Sequence, residues 1–146
     1  MTLKNTAVFA QTPQTAQAVV SNAITLTGVT SLASDDCANT QPLLTAGIDG
    51  ALVTRITLLP RGTITACNAY LFVRRASDPS QIRRLIDTVA VPARTASTTV
   101  PPSVQSFSIA INESAPLRLG AGDELHVGIS VAQAVGIGFN AELTQF

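Results

Sequence analysis

The C-terminal segment, residues 116–146, alternates between apolar and polar side chains, and this alternation constrains the fold more than any other feature of the chain. The apolar positions, two residues apart within each run, are Leu117, Leu119, Leu125, Val127, Ile129, Val131, Val135, Ile137, Phe139, Ala141 and Leu143. A period of two predicts strands of a sheet that buries one face. The run Gly120-Ala121-Gly122-Asp123 interrupts the pattern and predicts a turn. The fold is therefore expected to be all-β.

Four further segments are predicted to be strands: residues 51–59, 63–74, 82–91 and 105–111. The third also suits a short helix, and we favour a strand. The second is apolar on both faces, so it is expected in the middle of a sheet. Asp49-Gly50 predicts a hairpin turn, and the first two segments together predict a β-meander. About eight antiparallel strands in two packed sheets predict a β-sandwich, jelly-roll-like in type.

The N-terminal segment, residues 1–27, is rich in Thr, Gln, Ala and Asn and has few large apolar side chains. Such a segment gains little by burial, so we predict an extended N-terminal arm that precedes a β-sandwich domain over residues 28–146. A weak helix over residues 14–22 and a frayed terminus are the alternatives.

Charge and hydropathy narrow the possible partners. The chain has 146 residues, of which 12% are charged, and its formal net charge is zero. Nucleic-acid-binding domains normally carry a basic excess, so no nucleic-acid partner is expected. No apolar run is long enough to span a bilayer and no signal peptide is visible, so no membrane partner is expected either. A weakly charged, neutral chain is prone to association, which favours a structural subunit of an assembly.

Candidate catalytic and metal-binding residues are few. His126 is the only histidine, and the alternation places it opposite the apolar face, as a solvent-exposed or interface residue rather than a catalyst. Cys37 and Cys67 lack the paired spacing of a zinc site, and two buried thiols are expected, with a single disulfide as the alternative. Most carboxylates fall in predicted turns, where they cap backbone groups. We therefore expect no enzyme activity, no cofactor and no metal site.

Arginine is the distinctive charged residue. Arg74, Arg75, Arg83 and Arg84 flank one predicted loop, residues 76–82. Arginine is enriched at protein interfaces because its guanidinium group binds carboxylates in a bidentate manner. The four side chains are the candidate interface, either with an acidic protein surface or with a neighbouring subunit. The alternative is a polar rim that keeps edge strands from associating.

The order of several segments resembles small virion proteins of tailed bacteriophages. The segments are Gly50–Ile56, Arg84–Asp87, Pro116–Ile129 and Gly138–Glu142, and the resemblance extends over residues 48–146. It implies a head decoration, or cement, protein on the outer capsid surface of the virion, with the major capsid protein and further copies of itself, as a homotrimer, for partners. Receptor- or glycan-binding fibre or spike domains and tail or connector subunits are the alternative roles. The resemblance implies no catalytic residue.

Overall fold

Strands alone form the regular structure in the part of the chain that the computed structural model describes, residues 12–26, 37–107 and 111–146. In chain order the strands are β1 (Thr12–Val20), β2 (Thr25–Leu26), β3 (Cys37–Ala38), β4 (Gln41–Thr45), β5 (Ala51–Pro60), β6 (Cys67–Arg74), β7 (Arg83–Val91), β8 (Gln105–Ser106), β9 (Leu117–Leu119), β10 (Glu124–Ile129) and β11 (Ile137–Gln145). The all-β prediction is confirmed.

The strands form two packed sheets and one short ribbon. The first sheet has the order β1-β11-β5, and the outer edge of β5 pairs with β8 at one end and with β9 at the other. The second sheet has the order β4-β10-β6-β7, and β2 pairs only with β3. If β8 and β9 count as one interrupted strand, the two sheets contain four strand positions each.

The pairing of these eight positions is nested. The first pairs with the last (β1 with β11), the second with the last but one (β4 with β10), the third with β9, and the innermost pair is β6 with β7. The nested ribbon is then rolled up, because β11 also pairs with β5 and β10 also pairs with β6. Every pair in the two sheets is antiparallel. This topology is that of a jelly roll, so the predicted β-sandwich type is confirmed.

The core lies between the two sheets and follows the alternation. In β11 the buried side chains are Ile137, Phe139, Ala141 and Leu143, and the residues between them are half-buried. The first sheet contributes Val53 and Leu58 from β5 opposite Leu71 of β6. Strand β10 departs from this pattern, since all residues from Leu125 to Ile129 are buried. Both faces of β10 are therefore covered.

The covering layer is the connection between β1 and β4, whose described parts, residues 21–26 and 37–40, we call the cover. Ile24 and Cys37 of the cover form a second apolar cluster with Tyr70 and Phe72 of β6. Ile24 also donates a main-chain hydrogen bond of 2.9 Å to Ile129 at the end of β10. The cover thus buries the outer face of β10 and part of the outer face of β6.

The position of Ile24 depends on a glycine in β10. A Cβ atom at Gly128 would lie 2.2 Å from Cγ2 of Ile24, a distance that forces one of the two groups to move. Gly138 in β11 differs, because a Cβ atom there would meet no atom closer than 3.6 Å.

The predicted arm is corrected by β1. Strand β1 pairs with β11 over nine residues, from Thr12 opposite Gln145 to Val20 opposite Ile137. Residues 12–26 therefore belong to the sandwich, because a full ladder of backbone hydrogen bonds compensates for the small side chains of this segment. Residues 1–11 of the predicted arm lie outside the described residues.

Two local predictions are wrong and two are confirmed. Asp49-Gly50 forms a turn, but it joins β4 to β5, which belong to different sheets, so there is no hairpin. The predicted meander of 51–59 and 63–74 fails for the same reason, since β5 and β6 lie in opposite sheets. The central position of β6 and the strand assignment of 82–91 are confirmed. Of the predicted strand 105–111, the structure describes β8 as a strand, while residues 108–110 lie outside the described residues.

We expect the Gly128→Ala substitution to loosen the cover. The added methyl group displaces Ile24 and should lower the free energy of unfolding by about 2 kcal/mol, as overpacking generally does. It should also speed the reaction of Cys37 with a thiol reagent, followed by peptide mass spectrometry, because Cys37 is a buried residue of the cover and packs in the same apolar cluster as Ile24. Gly138→Ala, also a change of a strand glycine, is the matched control, and it should raise the free energy of unfolding by about 0.5–1 kcal/mol and leave the reaction of Cys37 unchanged. Equal behaviour of the two variants would contradict the account of the cover.

Candidate functional site

The loops of the sandwich gather at two opposite ends. Because the start of β11 lies beside the last residues of β1 and β5, the loops 21–24, 61–66, 92–104 and 130–136 share one end. We call it the apolar end, for reasons given below. The turns 46–50, 75–82 and 120–123 share the other, which we call the charged end.

Asp123 holds the charged end together. Its side chain is buried, and its two oxygens accept hydrogen bonds from the main-chain N–H groups of Ala76 and Gly120, each at 2.9 Å. Nη1 of Arg75 lies 2.6 Å from Oδ2 of the same carboxylate. The main-chain oxygen of Asp123 accepts a further bond of 2.8 Å from Ala46. One residue therefore links all three turns of this end.

The carboxyl group of Asp123 is ionised in the folded chain. Burial by itself raises its pKa, but hydrogen bonds from Arg75, Ala76 and Gly120, together with the charge of Arg75, hold the pKa below its ordinary value. A lowered pKa stabilises the fold above the pKa of the unfolded chain, and this stabilisation is lost as the pH falls through the folded-state value.

We expect the Asp123→Asn variant to be less stable by about 2 kcal/mol at neutral pH, because the neutral amide leaves buried donors of Ala76 or Gly120 unsatisfied. Urea unfolding at pH 7 measures the difference. Glu113→Gln, a change in an exposed turn, is the control and should stay within about 0.5 kcal/mol of the parent chain. A difference of that size for Asp123→Asn as well would contradict the linking role of Asp123.

The predicted arginine cluster is brought together at this end. Arg74 and Arg83 are direct partners in the ladder between β6 and β7. Each of the four guanidinium groups has a partner within the chain, and the pairs are Arg74 with Glu124, Arg75 with Asp123 at 2.6 Å, Arg84 with Asp78 at 3.4 Å, and Arg83 with the main-chain oxygen of Cys37 at 2.8 Å. The cluster therefore contributes to the fold itself, and its role as an interface stays a prediction.

His126 lies under the cover, and its predicted exposure is corrected. Its Nε2 atom is 2.7 Å from Oε2 of Glu124, and its Nδ1 atom is 3.3 Å from Oγ1 of Thr40. Since an ionised carboxylate only accepts, Nε2–H donates to Glu124, and Nδ1 accepts from the Thr40 hydroxyl. The face of β10 opposite the core is not exposed to solvent at this position, because the cover lies on it. The neutral imidazole thus connects the cover to β10.

Several charges act on His126. Burial lowers its pKa, the hydrogen bond and charge of Glu124 raise it, and the charges of Arg83 and Arg74 lower it again, with a net lowering. The unfolded chain therefore takes up a proton below about pH 6.5 while the folded chain does not. Stability falls as the pH drops from that value through the folded-state pKa.

We expect the free energy of unfolding of the chain to decrease between pH 7.5 and pH 5.5. Asp123 and Glu124 stay ionised in this window because their pKa values are also lowered. Urea titrations at the two pH values measure the decrease, and the His126→Gln variant should show a smaller one. A parent chain that is equally stable at both pH values would contradict the buried, neutral state of His126.

The potential metal ligands and the thiols of the described residues were predicted to form no metal site. No group of three or more His, Cys, Asp or Glu side chains in them could hold a metal ion. Both cysteines are buried thiols, as predicted. Burial raises the pKa of the Cys67 thiol, and a hydrogen bond with Gln133 lowers it by a smaller amount, so the thiolate form is disfavoured. No helix in the described ranges is long and apolar enough to cross a membrane.

The apolar end differs from the charged end in the side chains that it exposes. Among the described residues seven large apolar side chains are exposed, and six of them lie in or beside the loops of the apolar end: Val19, Leu59, Val100, Val104, Val131 and Val135. The seventh, Ile48, lies at the charged end. The four loops of the apolar end contain no Asp or Glu, and their charged residues are Arg61 and Arg94.

Hydrogen bonds brace the loops of the apolar end against each other. Gln133 is buried, and its main-chain N–H donates to Ser21 at 2.8 Å. Its side-chain amide pairs with the backbone of Thr65, donating to the oxygen at 3.0 Å and accepting from N–H at 3.1 Å. Ile64 and Arg94 exchange two main-chain bonds. The exposed valines therefore stand on a preorganised base.

Sequence reasoning missed this end as a site. The signal was present in the valines of the loops 92–104 and 130–136, which are otherwise rich in Ser, Thr, Pro and Ala. Compared with protein-family models, curated proteins and solved structures, the chain shows no match.

Proposed function

We propose that this chain is a structural virion protein of a tailed bacteriophage, specifically a head decoration protein that binds the major capsid protein on the outer surface of the mature shell as a homotrimer. The observation that carries the proposal is the apolar end, where exposed apolar side chains are concentrated on braced loops without a carboxylate among the described residues. Concentrated exposed apolar side chains mark interaction surfaces.

The apolar end suits docking better than the arginine cluster does. Val100, Val131 and Val135 already face solvent, so a partner gains their burial without breaking a bond within the chain. The bracing by Gln133 keeps the entropy lost on binding small. The arginines of the charged end would first have to leave their carboxylate partners, such as Asp78 and Glu124.

Such a protein acts by a binding equilibrium that favours the assembled shell, and not by catalysis. A subunit that binds the assembled shell and not its separate parts stabilises the shell by mass action. Several copies joined in one oligomer bind together, so modest contacts add up to tight attachment. The mature shell then withstands higher temperature or internal pressure.

The alternative of a glycan-binding fibre domain is less well supported. Such a site needs exposed aromatic rings that stack on sugars. Of the described aromatic side chains, Phe146 is half-buried and the others are buried: Tyr70, Phe72, Phe107 and Phe139. The outer face of the first sheet offers amides and hydroxyls instead.

The proposal is tested with purified shells of the phage that carries the chain. We expect the chain to co-sediment with mature, expanded shells, to raise their melting temperature and to bind equally in low and high salt, since apolar contacts are not screened. The variant Val100→Thr/Val131→Thr/Val135→Thr should bind about tenfold more weakly, because each substitution replaces a buried methyl group with a hydroxyl.

The control for this experiment is Arg84→Ser, which removes an exposed charge at the opposite end and should bind like the parent chain. If Arg84→Ser weakened binding while the valine variant did not, the docking surface would be the arginine cluster. Failure of the parent chain to bind shells at any concentration would contradict the proposed function.

A further inference from the structure

A groove on the outer face of the first sheet lies next to the apolar end. Val19, Gly138 and Leu59 are direct partners in one row across β1, β11 and β5. Val19 is 50% exposed and Leu59 is 37% exposed, so two apolar walls stand on either side of a glycine floor. The amides of Gln17 and Asn140 and the side chain of Arg61 complete the lining, and the groove has a volume of about 340 Å³. We call it the Gly138 groove.

No atom of the described residues requires glycine at position 138. A Cβ atom there would lie 3.6 Å from the main-chain oxygen of Leu59 and 4.0 Å from Cγ of Arg61, which are ordinary contacts. Its φ is not positive, unlike that of Gly136, where φ is +75° and a Cβ atom would lie 2.8 Å from Val19. Glycine within a strand costs about 0.5–1 kcal/mol relative to alanine. Glycine at such a position is typical of a close approach by another chain.

The groove specifies the chemistry of its occupant. An aliphatic side chain fills the gap between Val19 and Leu59, and a carboxylate complements Arg61, which makes no ion pair among the described residues. The occupant must also be narrow, because the groove is shallow and open. A tight turn with an apolar residue followed by an acidic one fits these requirements.

The chain presents such a turn at its charged end. Ile48 is 89% exposed, more than any other large apolar side chain of the described residues, and Asp49 beside it is exposed as well. The turn is held by a hydrogen bond of 3.1 Å from Gly50 to Gly47 and by a φ of +91° at Gly50. It is therefore a rigid protrusion that carries the two required groups in sequence.

We propose that the Ile48–Asp49 turn of one copy binds in the Gly138 groove of a second copy. Ile48 enters between the two apolar walls, and Asp49 pairs with Arg61. Because turn and groove lie at opposite ends of the molecule, the contact is head-to-tail. It leaves the groove of the first copy and the turn of the second copy free for further contacts. Such contacts close into a ring when the rotation between copies allows it. This inference names the contact that builds the homo-oligomer of the proposed function, and it does not depend on the shell.

The test measures the mass of the full-length chain by light scattering behind size exclusion. The parent chain should form a closed oligomer, whereas Gly138→Val, which fills the groove, and Ile48→Ser, which removes the anchor, should elute as single chains of 15.1 kDa. Valine is favoured in strands, so Gly138→Val should unfold at the same or higher urea concentration than the parent, which separates loss of assembly from loss of folding. Thr144→Val, on the same face of β11 away from the groove, is the control and should keep the oligomer.

Two mixing experiments identify the contact. Gly138→Val and Ile48→Ser each retain one intact half, so an equimolar mixture should form dimers and nothing larger. Asp49→Arg and Arg61→Asp should each be monomeric, and the double variant should assemble again, because the ion pair is restored with reversed sign.

The inference is overturned if the parent chain is monomeric at millimolar concentration, or if Gly138→Val and Ile48→Ser keep the parent mass. A parent chain that is monomeric and still binds shells would overturn this inference and leave the proposed function in place. A ring that assembles as described but binds no shell would support this inference and overturn the proposed function.

Discussion

The pairing of the first described strand with the last is the interaction on which the rest of the structure depends. Nine residues of β1 lie beside β11, and β11 in turn lies beside β5, so the nested ribbon is rolled and the two sheets face each other. This closure sorts the loops into two opposite ends. It also leads the chain after Val20 across the second sheet. There the cover lies on one face of β10, and the core lies on the other.

The alternation of side chains predicted β9, β10 and β11 because a buried face leaves a period of two in the sequence. It was wrong at Val131 and Val135, which continue the pattern but lie exposed in the loop 130–136. It could not show which sheet a strand joins, since the side-chain patterns of β5 and β6 are the same whether the two strands pair or lie in opposite sheets. His126 illustrates a second limit. A polar residue between Leu125 and Val127 points away from the core in any sheet, but only the tertiary structure brings the cover over it. The candidate site shows a third limit, because Glu124 and Asp123, which pair with Arg74 and Arg75, lie 50 and 48 residues away from them in the sequence.

The two ends divide the physical tasks of the molecule. At the charged end, Asp123 pairs with Arg75 and accepts hydrogen bonds from main-chain N–H groups, so its charge is neutralised within the chain. This end therefore stabilises the fold. At the apolar end the loops are braced through Gln133 while their valines remain exposed. The low charge of the chain, 12% of residues, follows from this division, because the surfaces proposed to meet other proteins carry few charges.

The central claim is that the chain is a fixed component of a virus particle, and quantitative mass spectrometry of purified virions tests it most directly. The account predicts the chain in intact particles at a constant ratio to the major capsid protein, accessible to protease or mild denaturant while the head stays closed. Absence of the chain from purified particles, or an amount that varies freely between preparations, would contradict the account.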